Sequence, residues 1–138
     1  MLALDFQNHK FAQAESDIYT DEEYNAMQRA VLRLFELWKI SDAQSAVLLG
    51  GISPKTFSRW RKGEFGRMNI DQADRISHIL AIHKSLRILF TEKERVYKWV
   101  SRKNDVFEGK SALDVMLKGH LRHIERVRFY LDSVRGGW

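Results

Sequence analysis

An all-α fold is predicted for this chain by three observations. Proline occurs once, at Pro54, so almost no position is barred from a helix interior. The eight glycines cluster at 50–51, 63–66, 109, 119 and 136–137, which divides the chain into long unpunctuated stretches. Within those stretches apolar residues recur at three- and four-residue steps, the spacing of one helix face, and little room is left for a sheet. At 138 residues with 44% hydrophobic side chains, the chain makes one ordinary domain or two small helical units sharing a core.

Residues 1–19 mix polar and apolar side chains without a period and are expected to form a flexible arm or a short docked helix. The first clear helix runs from about Asp21 to Trp38. Thr20 and Glu23 make a Thr-x-x-Glu capping box at its start, and Tyr24, Met27, Val31, Leu34, Phe35 and Trp38 form one stripe. A second helix follows Ser41 and ends at Leu49. A third starts at Ser53, with Pro54 in the first turn where its missing N–H costs nothing, and stops at Gly63. The fourth spans about Asp71 to Phe90 and places Ala73, Ile76, Leu80, His83 and Leu86 on one face. After Thr91 a fifth continues to about Val100, a sixth spans Ala112 to Leu117, and a seventh spans about His120 to Val134.

Composition narrows the chemistry. The chain has no cysteine, which removes disulfides, thiolate zinc sites and thiol nucleophiles together. The opening Met1-Leu-Ala-Leu-Asp5 breaks its apolar run with an acid, and no stretch approaches the ~20 apolar residues of a membrane span, so a cytoplasmic, soluble protein is expected. The net charge is +5 but unevenly spread: residues 1–50 hold four bases and eight acids, 51–105 thirteen and six, and 106–138 six and four. A basic middle after an acidic start is the electrostatic footprint of a polyanion-binding segment.

Residues 42–63 read as two short helices meeting at a glycine turn. The first needs a small residue where its partner crosses closely, for which Ala46 is expected, and Leu48, Leu49 and Ile52 supply apolar contacts. In the second, Phe57 and Trp60 lie three apart and point inward, leaving Lys55, Thr56, Ser58, Arg59, Arg61 and Lys62 outside. A helix anchored by two aromatics, with a basic and hydroxylated outer side, suits the major groove of DNA. The stretch resembles the Xre-like helix-turn-helix repressors, whose recognition helix commonly reads Gly-x-Ser-x-x-Thr-x-Ser-x-Trp-x-x-Gly. Gly51, Ser53, Thr56, Ser58, Trp60 and Gly63 hold those positions, although Leu-Leu-Gly-Gly-Ile-Ser is one residue longer in the turn than the usual Leu-Leu-Gly-Val-Ser. The resemblance implies base-reading positions at Pro54, Lys55 and Arg59 and phosphate contacts at Ser53, Thr56, Ser58, Arg61 and Lys62. Proline has no donor to offer a base, so Lys55 and Arg59 are expected to read the sequence.

A domain that only binds DNA would be complete near residue 90, yet residues 91–138 keep strong apolar periodicity. Val96, Trp99 and Val100 end the fifth helix, Asn104 and Gly109 punctuate a loop around Phe107, and Ser111 caps a turn carrying Leu113, Val115, Met116 and Leu117. Leu121, Ile124, Val127, Tyr130, Leu131 and Val134 then form a stripe that runs to Arg135-Gly-Gly-Trp138. Glycines permit close backbone approach or positive φ, and a terminal indole is expected to enter a pocket rather than idle in water.

Trp99-Val-Ser-Arg-Lys-Asn104, Phe107-x-Gly109-x-Ser111-Ala-Leu-Asp-Val-Met-Leu-x-Gly119 and Val127-Arg-x-Tyr-Leu-Asp-x-x-Arg-Gly-Gly-Trp138 resemble the toxin-binding domain of MbcA/ParS/Xre antitoxins. Asp71-x-x-x-Arg75 and Leu86-Arg-x-Leu-Phe90 are similar to that family's link between domains. Many members carry proline where this chain has Ala112 and Lys103. The likeness covers about 20–138 and implies three segments: an arm at 1–19, an Xre-like helix-turn-helix domain at 20–90 and a small helical toxin-binding and dimerisation domain at 91–138. It further implies a cognate RES-domain toxin that consumes NAD⁺ or uses it to modify a host protein, with the antitoxin's C-terminal segment occluding the NAD⁺ pocket. On that reading Tyr130, Arg135, Gly136, Gly137 and Trp138 face the toxin, with Arg135 in an anion site and Tyr130 and Trp138 on apolar or aromatic walls. Operator DNA is the second expected partner, and a homodimer is expected because one short recognition helix binds weakly. The rival reading is a stand-alone transcription regulator whose residues 91–138 only dimerise.

An enzyme is not expected. His120 and His123 share a helix face, but the His-Glu-x-x-His pattern is missing and no nearby carboxylate completes a ligand set. Gly50-Gly51 lacks the Lys and Ser/Thr of a phosphate loop. Glu92 and Glu94 sit among bases, as solvated ion pairs do. No catalytic residue, metal or cofactor is assigned.

Overall fold

The computed structural model describes residues 19–136, and the expectation for the arm at 1–19 lies outside them save for its last residue. The described residues form seven α-helices: α1 Asp21–Trp38, α2 Asp42–Leu48, α3 Pro54–Arg61, α4 Ile70–Leu89, α5 Lys93–Lys98, α6 Ala112–Met116 and α7 Leu121–Val134. Two single 3₁₀ turns, Trp99–Ser101 and Asp105–Phe107, join α5 to α6. The all-α fold expected from the sequence is therefore present, and the one β-type pairing among the described residues is an isolated bridge between Lys103 and Ser111. No helix among these residues is long and apolar enough to cross a membrane.

Local chemistry explains most of the boundaries. At the start of α1 the Thr20 hydroxyl accepts from the Glu23 N–H and the Glu23 carboxylate accepts from the Thr20 N–H, both at 3.1 Å. The same reciprocal caps open α2 with Ser41 and Gln44, α4 with Asn69 and Gln72, and α6 with Ser111 and Asp114. Each cap satisfies two of the N–H groups that a helix start leaves without partners. The fifth helix is shorter than its apolar pattern suggests: it closes at Lys98, and Trp99–Ser101 tighten into a 3₁₀ turn.

α4 is the spine. It packs against α1, α5 and α7, and its contact with α7 is the most extensive in the fold. His78 on α4 bonds Arg128 on α7, and seven residues further along each helix Ser85 bonds Arg135, so the two helices run parallel. This position corrects the expected single stripe. Ile79 and Ile82 are fully buried beside Ile76 and Leu86, whereas Ala73, Leu80 and His83 are only half-buried. A helix enclosed from three sides must bury more than one face. In α2 Ser45 is fully buried and Ala46 half-buried, and the Ser45 hydroxyl is satisfied by donating to the Ser41 carbonyl at 2.9 Å.

Candidate functional site

The turn between α2 and α3 is built by two glycines in positive φ, Gly50 at 94° and Gly51 at 80°. The Gly51 N–H donates to the Ala46 carbonyl at 2.8 Å and the Gly50 N–H to that of Val47 at 3.0 Å. This is the paired-bond helix ending in which a left-handed residue satisfies the last free carbonyls. The extra residue of the turn is thus absorbed as a helix cap plus a second left-handed step. At Gly50 a side chain would meet crowding as well as the left-handed backbone, because a Cβ there would lie 3.1 Å from Asp71 Oδ2 and 3.3 Å from Arg75 Nε.

From this turn the chain enters α3 with Ser53 as N-cap and Pro54 in the first turn. The Ser53 hydroxyl accepts from the Thr56 N–H at 3.1 Å and donates to Thr56 Oγ1 at 3.0 Å. Phe57 and Trp60 are buried as the sequence pattern predicts, and Trp60 meets Phe65 edge-on at 6.5 Å. Lys55, Ser58, Arg59 and Lys62 are exposed, Thr56 is half-buried, and Lys55 and Arg59 stand one turn apart. Lys55, Arg59 and Lys62 have no side-chain hydrogen bond or ion pair with any described residue. Arg61 is differently placed: it pairs with Asp42 of α2 at 2.6 Å and lies over the Phe57 ring at 5.1 Å. Its guanidinium therefore ties α3 to α2 in addition to any outward contact, a partnership that spacing within α3 did not reveal.

Behind the turn lies Arg75, only 6% exposed. Its Nε donates to Asp71 Oδ2 at 2.8 Å and its Nη2 to the Gly119 carbonyl at 2.8 Å. One guanidinium thus joins the start of α4 to the loop that opens α7. Such a fork suits arginine, whose planar donors serve two acceptors at once.

The C-terminal module closes around an aromatic trio. Tyr130 stacks on Trp99 at 6.4 Å and meets Phe107 edge-on at 5.6 Å, while Arg126 covers the Phe107 ring at 5.4 Å. Tyr130 is consequently half-buried in its own module. The loop before α6 is held by Asn104, which accepts from the Val106 N–H at 3.1 Å, and by Asp114, whose carboxyl is kept below its ordinary range by hydrogen bonds from Ser111. At the end of α7 Arg135 is exposed and donates to the buried Ser85 hydroxyl at 3.2 Å. Gly136, at φ 89°, ends the helix with its N–H on the Ser133 carbonyl at 3.2 Å. Gly137 and Trp138 lie outside the described residues. The structure therefore brings Arg135 and Gly136 together at one helix end but turns Tyr130 toward Trp99 and Phe107. An exposed aromatic that sequence reasoning missed is Phe129, 54% exposed and edge-on to His78. Its only sequence signal is an aromatic standing off the apolar stripe of α7.

Three histidines share one direction of titration. His78 is lowered by burial and then by Arg128, His83 by burial and then by Arg87, and His123 by burial and then by Arg122. Folded values below the unfolded value near 6.5 mean that the unfolded chain binds more protons. The stabilising contribution is complete above that value and is lost as pH falls through the folded values. Thermal unfolding is therefore expected at a lower Tm at pH 5.5 than at pH 7.5, before most carboxylates titrate; a flat or rising Tm would refute it.

These features define the class: a helix-turn-helix with an outward basic recognition helix, fused through a shared spine to a second helical module. Residues 21–81 match the family described as the antitoxin Xre-like helix-turn-helix domain. Residues 85–137 match the antitoxin Xre/MbcA/ParS C-terminal toxin-binding domain. Among curated proteins, the uncharacterized protein y4oB of Sinorhizobium fredii is 47% identical over 108 residues, covering 78% of this chain and 83% of the relative. The chain belongs to the Xre/MbcA/ParS antitoxin family. Its two domains are those of a toxin–antitoxin antitoxin, one for DNA and one for a toxin. The two matches meet inside α4, between residues 81 and 85.

Proposed function

We propose that this antitoxin neutralises a RES-domain toxin by seating its C-terminal segment in the toxin's NAD⁺ pocket, and that it represses its own operon through α3. The observation that carries the reading is the end of α7. Arg135 is exposed there, and Gly136 turns the chain out of the helix toward Gly137 and Trp138. A guanidinium matches the phosphates of a dinucleotide by charge and fork geometry, and a following aromatic residue matches its flat rings. Tyr130 serves this segment by anchoring α7 to Trp99 and Phe107. For the operator, Lys55 and Arg59 read base edges while Ser53, Thr56, Ser58, Arg61 and Lys62 hold phosphates. Arg61 exchanges Asp42 for a phosphate at little cost, because both partners are solvent-exposed. A homodimer places two recognition helices on half-sites about one helical turn, or a multiple of it, apart.

The test is co-expression with a RES-domain toxin; a reading frame for one beside this gene supports the proposal, and its absence there favours a stand-alone regulator. Truncation after Val134 is expected to abolish protection in a growth assay while the truncated protein still folds, by circular dichroism, and still shifts its promoter fragment. Full protection by the truncated chain would overturn the occlusion mechanism. Sedimentation of the intact chain as a compact monomer at high concentration would overturn the dimer.

A further inference from the structure

The corner where α6 meets α7 carries charge that the chain does not use. α1, α2, α4 and α6 each have an acid in the first turn, which complements the positive end of the helix dipole. α7 has none and opens with Leu121, Arg122 and His123. Lys118 and Arg122 are exposed, and neither makes a side-chain hydrogen bond or ion pair with a described residue. His123 lies in the field of Arg122, His120, Lys118 and Arg126. Directly behind the corner is the guanidinium of Arg75, whose Nη2 holds the Gly119 carbonyl while the buried Nη1 has no hydrogen-bond partner among the described residues. Cations converging on the positive end of a helix repel one another and the dipole, and an anion relieves both.

The position of the corner indicates which anion. A Cβ on Gly119 would lie 3.9 Å from Val47 Cγ1 of α2, and the same Arg75 borders Gly50. The corner therefore abuts the turn from which the recognition helix departs. In a docked helix-turn-helix the first helix crosses the phosphate backbone, so cations flanking this turn stand where phosphates run.

We propose that Lys118 and Arg122 form a second phosphate-binding surface, by which the toxin-binding domain grips the backbone of the duplex that α3 reads. The surface rests on the operator-binding reading above. It neutralises phosphates without reading bases, so it adds affinity and salt dependence but no sequence preference.

The test is a salt series of operator binding, followed by fluorescence anisotropy, for the wild type and for the Lys118→Gln/Arg122→Gln double variant. Both side chains are exposed, so the fold is retained. Two lost phosphate contacts are expected to make the log–log salt slope shallower by about 1.8, with preference for the operator over scrambled DNA unchanged. The charge-conserving Lys118→Arg/Arg122→Lys variant is expected to keep the wild-type slope. Specific binding by the wild type with an unchanged slope in the Gln variant would overturn this surface alone. An unchanged slope together with lost protection against the toxin would assign the corner to an acidic face of the toxin instead. Absence of specific binding by the wild type would overturn the operator reading and this surface with it.

Discussion

Replacing Lys55 and Arg59 together with alanine is expected to abolish sequence-specific operator binding and leave the fold intact. Both side chains are exposed on one face of α3 and hold no other described residue. A well-formed contact from a basic side chain to guanine O6 and N7 is worth ~1–3 kcal/mol of discrimination, so two lost contacts predict a drop on the order of a hundredfold or more in preference for the operator. Replacing Lys62 alone should instead lower affinity for every sequence equally, because a phosphate contact carries no base information. Competition gel shifts against scrambled DNA distinguish the two patterns. Undiminished specific binding by the double variant would remove α3 from the reading role.

Trp60→Ala is expected to cost about 3–5 kcal/mol of stability, the usual range for emptying a buried aromatic site. The indole is 3% exposed and packs edge-on against Phe65 in the segment that leads from α3 to α4. Since small domains hold only ~5–15 kcal/mol in total, the variant should unfold at a much lower denaturant concentration. Trp60→Phe, which leaves a smaller void, should recover a substantial part of the loss. A change within error for the alanine variant would show that Trp60 fills space without anchoring α3.

What could be read from residue order is what residue order decides. The limits of α1, the caps at Thr20 and Ser111, the helix starts at Ser41 and Ser53, and the inward pair Phe57 and Trp60 depend on neighbours three or four positions away, and each stands where local pattern placed it. The faces of α4 depart from a single stripe because periodicity describes an amphipathic helix, and α4 is covered by α1, α5 and α7 together. Arg61 is an outward base by position, but Asp42 lies nineteen residues away and only the fold brings them into contact. Arg75 and Gly119 are forty-four residues apart, and a carbonyl acceptor leaves no mark on side-chain identity. Tyr130 lay on the apolar stripe of α7, yet its ring partners Trp99 and Phe107 come from the connecting turns. The shape of α3 was legible, whereas the bases that Lys55 and Arg59 are proposed to read were not, because specificity resides in the DNA site as much as in the helix.

The unbroken passage of α4 through the junction of the two family matches has a mechanical corollary. Twenty residues of continuous helix make a strut of ~30 Å with no flexible joint between its halves. On the operator reading proposed above, a cargo clasped by the carboxyl-terminal module would ride at a set angle over the double helix, and the spacing of repeated sites would dictate how far apart neighbouring cargoes stand, and whether they collide.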